Sequence, residues 1–241
     1  MTSESPKLPG DNDDDGVRLA KRVAALTGLS RREAELLIDN GVVRVDGTVS
    51  LSPAQRVRPE QRVEVEKNAS PQPVPPVTIV LHKVAGARLN PAAPLAGVCH
   101  SDTDQSGLRP LPRHLVDQRC VAALGPADSG LVVFTQVPGI ERKLVEDAGI
   151  LEHELAVEVR GEVAPEALQA MRPARVSIGS QRDGKTVLRF AIKGPQPGQV
   201  SALCARAGLQ IVGVRRLRLG RIALAGMAPG EWRYLHPDER F

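Results

Sequence analysis

The sequence predicts an α+β chain in two parts: a small α/β unit, then a mixed, mainly antiparallel sheet domain. Three observations carry this. Two stretches with helically spaced apolar residues precede alternating valines within residues 17–67. A proline-rich run, residues 68–76, follows and marks a stiff, extended linker. Beyond it, strand-like and helix-like segments over residues 77–241 succeed one another without regular alternation.

Each element has a local reason. In the first unit Leu19, Val23 and Leu26, then Ala34, Leu37 and Ile38, recur at helical spacing. Ser30 with Glu33 three residues on forms a capping box that opens the second helix, and Gly41 closes it. Val43, Val45, Val57, Val63 and Val65 supply short strands, with Asp46-Gly47 as a hairpin turn. In the second domain, residues 77–81, 131–134, 154–159, 185–192 and 210–219 read as strands. Residues 138–147, 164–171 and 199–207 read as helices, and Asp183-Gly184 as a turn. Residues 87–113, rich in Pro, Gly, Ser and Asp, read as one long loop.

Composition narrows the function classes. The chain has 241 residues and a formal charge of +4. Residues 1–16 hold Glu4, Asp11, Asp13, Asp14 and Asp15 against Lys7, which predicts a solvated acidic tail and a more basic remainder. Aromatic residues make up only 2% of the chain, which argues against a platform that stacks several bases. Cys99, Cys120 and Cys204 lie far apart, and the five histidines show no ligand spacing. Neither a metal site nor a disulfide framework is expected from this spacing. No apolar run reaches membrane-spanning length and no secretion signal opens the chain, so the expected location is the cytoplasm.

Basic residues concentrate in the small unit. Arg18, Lys21, Arg22, Arg31, Arg32 and Arg44, together with Ser30, are candidates for a phosphate-facing surface. The competing reading is a solvated face with local ion pairs to Glu33, Glu35 and Asp39. Lys83 serves either a pocket or a strand end. Arg215, Arg216, Arg218 and Arg221 alternate along a strand, so Arg216 and Arg218 are further RNA-contact candidates.

Residues 17–67 resemble an S4-type RNA-binding domain. The remainder resembles the catalytic domain of S4-bearing bacterial ribosomal RNA pseudouridine synthases of the dual-specificity type. The resemblance rests on the segment 208–220, with Arg215, Arg216 and Arg218, followed by Pro229-Gly230-Glu231-Trp232-Arg233. Leu81-His82-Lys83 and Ser129-Gly130-Leu131 match less closely. The resemblance implies a structured RNA partner, ribosomal RNA in the first instance, no cofactor, and a monomer.

It also implies a damaged site. The family's Gly-Arg-Leu-Asp loop falls on Ala122-Ala123-Leu124-Gly125, so its catalytic aspartate becomes Gly125 and the preceding arginine Ala123. The family's base-stacking tyrosine falls on Leu155, and its paired arginines fall on Ser201 and Ala202. Pseudouridine formation uses one carboxylate on the sugar as nucleophile or base, on a base taken out of its stack. The expectation is an RNA-binding protein with catalysis impaired or lost. The alternative is an active isomerase that uses Asp128, although three extended residues from position 125 span roughly 10 Å. Asp117 is a weaker candidate still.

Overall fold

The computed structural model describes residues 16–90 and 95–241, and every structural statement below concerns those residues. The acidic segment expected as a tail lies outside them up to Asp15, as do residues 91–94. The chain divides into two compact units. One runs to Pro75 and includes Pro110–Val116; the other comprises Pro76–Arg109 and Asp117–Phe241. Composition groups residues 110–116 with the second domain, whereas their contacts belong to the first. Pro112 lies against Gly41, and the Arg113 guanidinium stands 4.0 Å from the Asp39 carboxylate.

In the first unit, β1 (Val17–Arg18) leads into α1 (Leu19–Thr27) and α2 (Arg31–Asp39). Then come β2 (Val43–Val45), β3 (Thr48–Val49), β4 (Arg56–Val57) and β5 (Val63–Val65). Strands β3, β2 and β5 form one small sheet, and β1 pairs with β4. Leu19, Val23, Ala34, Leu37, Ile38, Val43 and Val57 close its core. The Ser30 capping box is complete, with Glu33 N–H donating to Ser30 Oγ and Ser30 N–H donating to Glu33 Oε2 at 2.8 Å. Asp46 and Gly47 both have positive φ, as a two-residue hairpin turn requires. The proline-rich segment is tied back at one point, where Asn40 Nδ2 donates to the Gln72 carbonyl at 2.7 Å.

The second unit contains β6 (Thr78–Lys83), β7 (Cys99–His100), β8 (Arg119–Cys120), β9 (Ser129–Thr135) and α3 (Pro138–Glu146). It continues with β10 (Glu152–Arg160), a 3-10 helix (Pro165–Met171), β11 (Arg175–Arg182) and β12 (Lys185–Lys193). Last come α4 (Gln199–Arg206), β13 (Ile211–Leu219), β14 (Ile222–Ala223) and β15 (Glu231–Tyr234). The main sheet runs β11-β12-β10-β13-β9-β6-β15-β7, with β14 on β13 and β8 on β9. Most pairs are antiparallel, and the parallel ones are β13 with β9 and β15 with β7.

Two apolar clusters serve the two halves of that sheet. Leu155, Val157, Val159, Leu188 and Phe190 pack on Met171 of the 3-10 helix and on Leu203 and Cys204 of α4. Val80, Leu131, Val133 and Leu219 pack on Leu144 of α3 and on Met227. Trp232 and Tyr234, the only Trp and Tyr, are buried edge to face at 5.1 Å. Strand β11 escapes sequence reading because Gly179 sits at a bulge between Ile178 and Ser180 and breaks the apolar alternation. The long loop 87–113 is likewise interrupted by β7 and ends in a 3-10 helix, Pro112–Leu115.

The halves join where β9 runs parallel to β13, with Gly130 opposite Arg216. Gly130 has φ +105°, and a Cβ there would lie 2.6 Å from the Arg216 backbone nitrogen and closer still to its carbonyl oxygen. Only glycine fits. Gly130→Ala is expected to destabilise the second unit by on the order of 3 kcal/mol, through strain and backbone collision. Urea unfolding of the two proteins measures this.

Candidate functional site

Four residues line up across four strands at that join. Lys83 on β6 faces Gly130 on β9, Gly130 faces Arg216 on β13, and Arg216 faces Leu155 on β10. Register makes this row the floor of the site, and the segments after β6 and before β9 frame it.

Lys83 is only 2% exposed. Its ammonium donates to the carbonyls of Val84 at 3.2 Å, Pro126 at 3.0 Å and Asp128 at 2.7 Å. Three N–H donors meet three acceptors, so the side chain fastens two loops together. Burial pulls its pKa down, and the Asp128 charge opposes that. Arg216 is 3% exposed, with Nε donating to the Leu131 carbonyl at 2.7 Å and Nη2 to the Ala122 carbonyl. Burial lowers its pKa to about 10 against the pull of Cys120 and Asp128. Both side chains are buried and spend these donors on the chain's own carbonyls.

The loop before β9 turns sharply. Asp128 N–H donates to the Gly125 carbonyl at 3.2 Å, closing a β-turn with Pro126 in its second position. The 10 Å separation expected for an extended segment therefore does not arise. Instead, Asp128 Oδ2 lies 2.9 Å from where a Cβ on Gly125 would stand. Beside this turn is a cavity of about 610 Å³, within the usual range for small-ligand sites. Lys83, Phe134 and Cys120 line it from the strands, Arg88 and Leu89 from the loop after β6, and Ala123, Leu124 and Pro126 from the turn. Asp128 is not among its lining residues.

Leu155 is 6% exposed and belongs to the apolar cluster under α4, so its side chain is spent on packing. Arg218 takes a different course from Arg216. The register between β10 and β13 passes from Glu154 opposite Arg218 to Leu155 opposite Arg216, leaving Leu217 as an extra residue. That bulge places Arg216 and Arg218 on opposite faces, where simple alternation would put them on one. Arg218 pairs with Glu152 at 2.7 Å and Glu154 at 3.1 Å.

In the first unit Arg18, Lys21, Arg31, Arg32 and Arg44 are exposed. Arg31 reaches Glu35 at 3.4 Å, and Arg44 donates to the Gly47 carbonyl at 3.2 Å. Arg22 is half-buried, and the Ser30 hydroxyl is engaged in the helix cap. The structure thus brings Lys83, Gly125, Asp128 and Arg216 together in the second unit; Arg218 lies on the other face of the same strand, and the remaining basic candidates belong to the first unit. The lining contributed by Gln118 and Cys120 has no sequence signal, because β8 is only two residues long. Among the described residues no cluster of three metal-ligating side chains occurs, and no helix is long and apolar enough to cross a membrane.

His153, two residues before Leu155, is half-buried near Arg216, and desolvation and that charge push its pKa down to about 4. The folded chain therefore stays unprotonated here while the unfolded chain takes up a proton near 6.5. The unfolded state binds more protons between those values, so stability falls as pH drops from about 6.5 towards 4. Urea midpoints across that window are expected to decline less steeply in His153→Gln than in the parent.

Comparison with known proteins agrees with this architecture. Residues 17–63 match the S4 domain family. The chain is 26% identical to an uncharacterized RNA pseudouridine synthase of Aquifex aeolicus, over 92% of this chain and 94% of that protein. It is 23% identical to the dual-specificity RNA pseudouridine synthase RluF of Escherichia coli, over 94% of this chain and 78% of that protein. A solved pseudouridylate synthase shares the fold with a TM-score of 0.50 at 19% identity, covering 91% of this chain and 96% of that one. The chain thus carries an S4 match at one end, and over both units it is similar to proteins described as RNA pseudouridine synthases.

Proposed function

We propose that this chain binds structured RNA, ribosomal RNA in the first instance, through its S4 domain, with isomerisation of uridine impaired or lost. The observation that carries the reading is the state of the row and turn described above. The position that the family resemblance gives to the catalytic carboxylate is Gly125, which has no side chain. The position it gives to the base-stacking aromatic is Leu155, buried in the core. Base–aromatic stacking contributes roughly 1–3 kcal/mol, and a leucine packed under α4 offers none of it. Ser201 and Ala202, at the positions of the paired arginines, bring no charge to the helix they occupy. The exposed cations of the first unit, by contrast, are intact and suit phosphate contact.

One observation favours a second reading. The Asp128 carboxylate reaches back towards Gly125, with Oδ2 2.9 Å from where a Cβ there would stand. An isomerase that attacks the ribose from Asp128 is the competing function. Incubating the purified chain with ribosomal RNA fragments and mapping pseudouridine separates the two. No new pseudouridine is expected from the parent chain. Turnover that Asp128→Ala abolishes and Asp117→Ala leaves intact replaces the binding function with the enzymatic one.

A further inference from the structure

The half of the sheet formed by β11, β12, β10 and β13 has two faces of opposite character. One carries Leu155, Val157, Leu188 and Phe190 beneath α4 and the 3-10 helix. On the other, register aligns Glu154 with Ala191 and Arg218, and Ala156 with Arg189 and Arg215. We propose that this second face is a docking surface for the phosphate backbone of RNA. The inference rests on the reading that the chain binds RNA, and adds a contact surface in the second unit to the one in the S4 domain.

Charge is the first argument. Strand β11 places Arg175 and Arg182 on this face, β12 places Lys185, Arg189 and Lys193, and β13 places Arg215 and Arg218. The carboxylates of β10 on the same face are Glu152, Glu154 and Glu158. Lys185 holds Glu158 at 2.5 Å, Arg189 holds Glu154 at 3.1 Å, and Arg218 holds both Glu152 and Glu154. Arg175, Arg182, Lys193 and Arg215 are exposed and have no carboxylate within ion-pair distance among the described residues. The ion pairs hold part of the cation array in place; the rest is surplus positive charge.

Shape is the second. Ala156, Ala191 and Gly213 lie between the long cations, and a Cβ added at Gly213 would meet nothing within 4 Å. Four strands spaced about 4.8 Å apart give a surface roughly 14 Å across, with these small residues set among its long charged side chains. No aromatic residue stands on it, since Phe190 faces the core. Such a surface tracks a sugar–phosphate chain by charge and does not stack bases.

The test uses the full-length chain and a fluorescent hairpin of ribosomal RNA, with binding measured by anisotropy across a salt titration. The triple variant Arg175→Ala/Arg182→Ala/Arg215→Ala removes no ion pair. It is expected to lose at least about tenfold in affinity and to make the slope of log K against log salt shallower by about 2–3. The same three positions changed to Lys are expected to retain most of the parent's affinity, because the contact is electrostatic. Should the alanine variant melt early, Gln at the three positions replaces it. Parent-like affinity and salt slope in a folded triple variant overturn the surface while leaving RNA binding in place. If the parent chain itself does not bind the hairpin, the functional reading falls and the surface falls with it.

Discussion

The close approach of β9 and β13 is the constraint on which the second unit depends. Gly130 lets the two backbones meet where any side chain would collide. That contact fixes the register of the Lys83–Gly130–Arg216–Leu155 row, and so fixes which residues the site can contain. A shift of one residue on β13 would exchange the buried Arg216 with the solvated Arg215, because side chains alternate across a sheet. The bulge at Leu217 then makes a second selection. It lets Arg216 turn inward and Arg218 outward, so two arginines that look equivalent in sequence do different work.

Arg216 and Lys83 would be costly to bury as bare charges. Both are met chiefly by backbone carbonyls, those of Ala122 and Leu131 for Arg216 and those of Val84, Pro126 and Asp128 for Lys83. Carbonyls belong to the backbone whatever the side chains become. A loop fastened this way keeps its shape when Ala123 or Gly125 stands in it, because neither side chain takes part in the fastening. Gly86 N–H donating to the Pro126 carbonyl at 2.9 Å ties the same two segments again.

Local chemistry made much of this architecture legible in the sequence. The Ser30–Glu33 cap, the Asp46-Gly47 and Asp183-Gly184 turns and the Pro-Gly-Glu-Trp-Arg string each declare themselves within a few residues. Features set by distant partners did not. Strand β11 is hidden by its bulge at Gly179, and the grouping of residues 110–116 with the first unit depends on Gly41 and Asp39. The inward turn of Asp128 needs the 125–128 hydrogen bond, which a linear count of residues misses. The sequence shows a leucine where the family's tyrosine falls; its burial under α4 is a tertiary fact that only the packed sheet reveals.

The position of Asp128 bears on the charge balance of the site. A carboxylate close to Lys83 and Arg216 eases the cost of two buried cations, and the charge of Asp128 acts on both. An aspartate at position 125 would face the same two cations from almost the same place, given the 2.9 Å between Asp128 Oδ2 and the Gly125 Cβ direction. Two carboxylates there would repel each other and raise the pKa of one of them. Electrostatics therefore favours one acid in this corner and tolerates its supply from either end of the turn. Stability requires only the charge, whereas attack on a ribose requires an oxygen placed to within about an ångström. Asp128 supplies that charge to Lys83 and Arg216 as it stands.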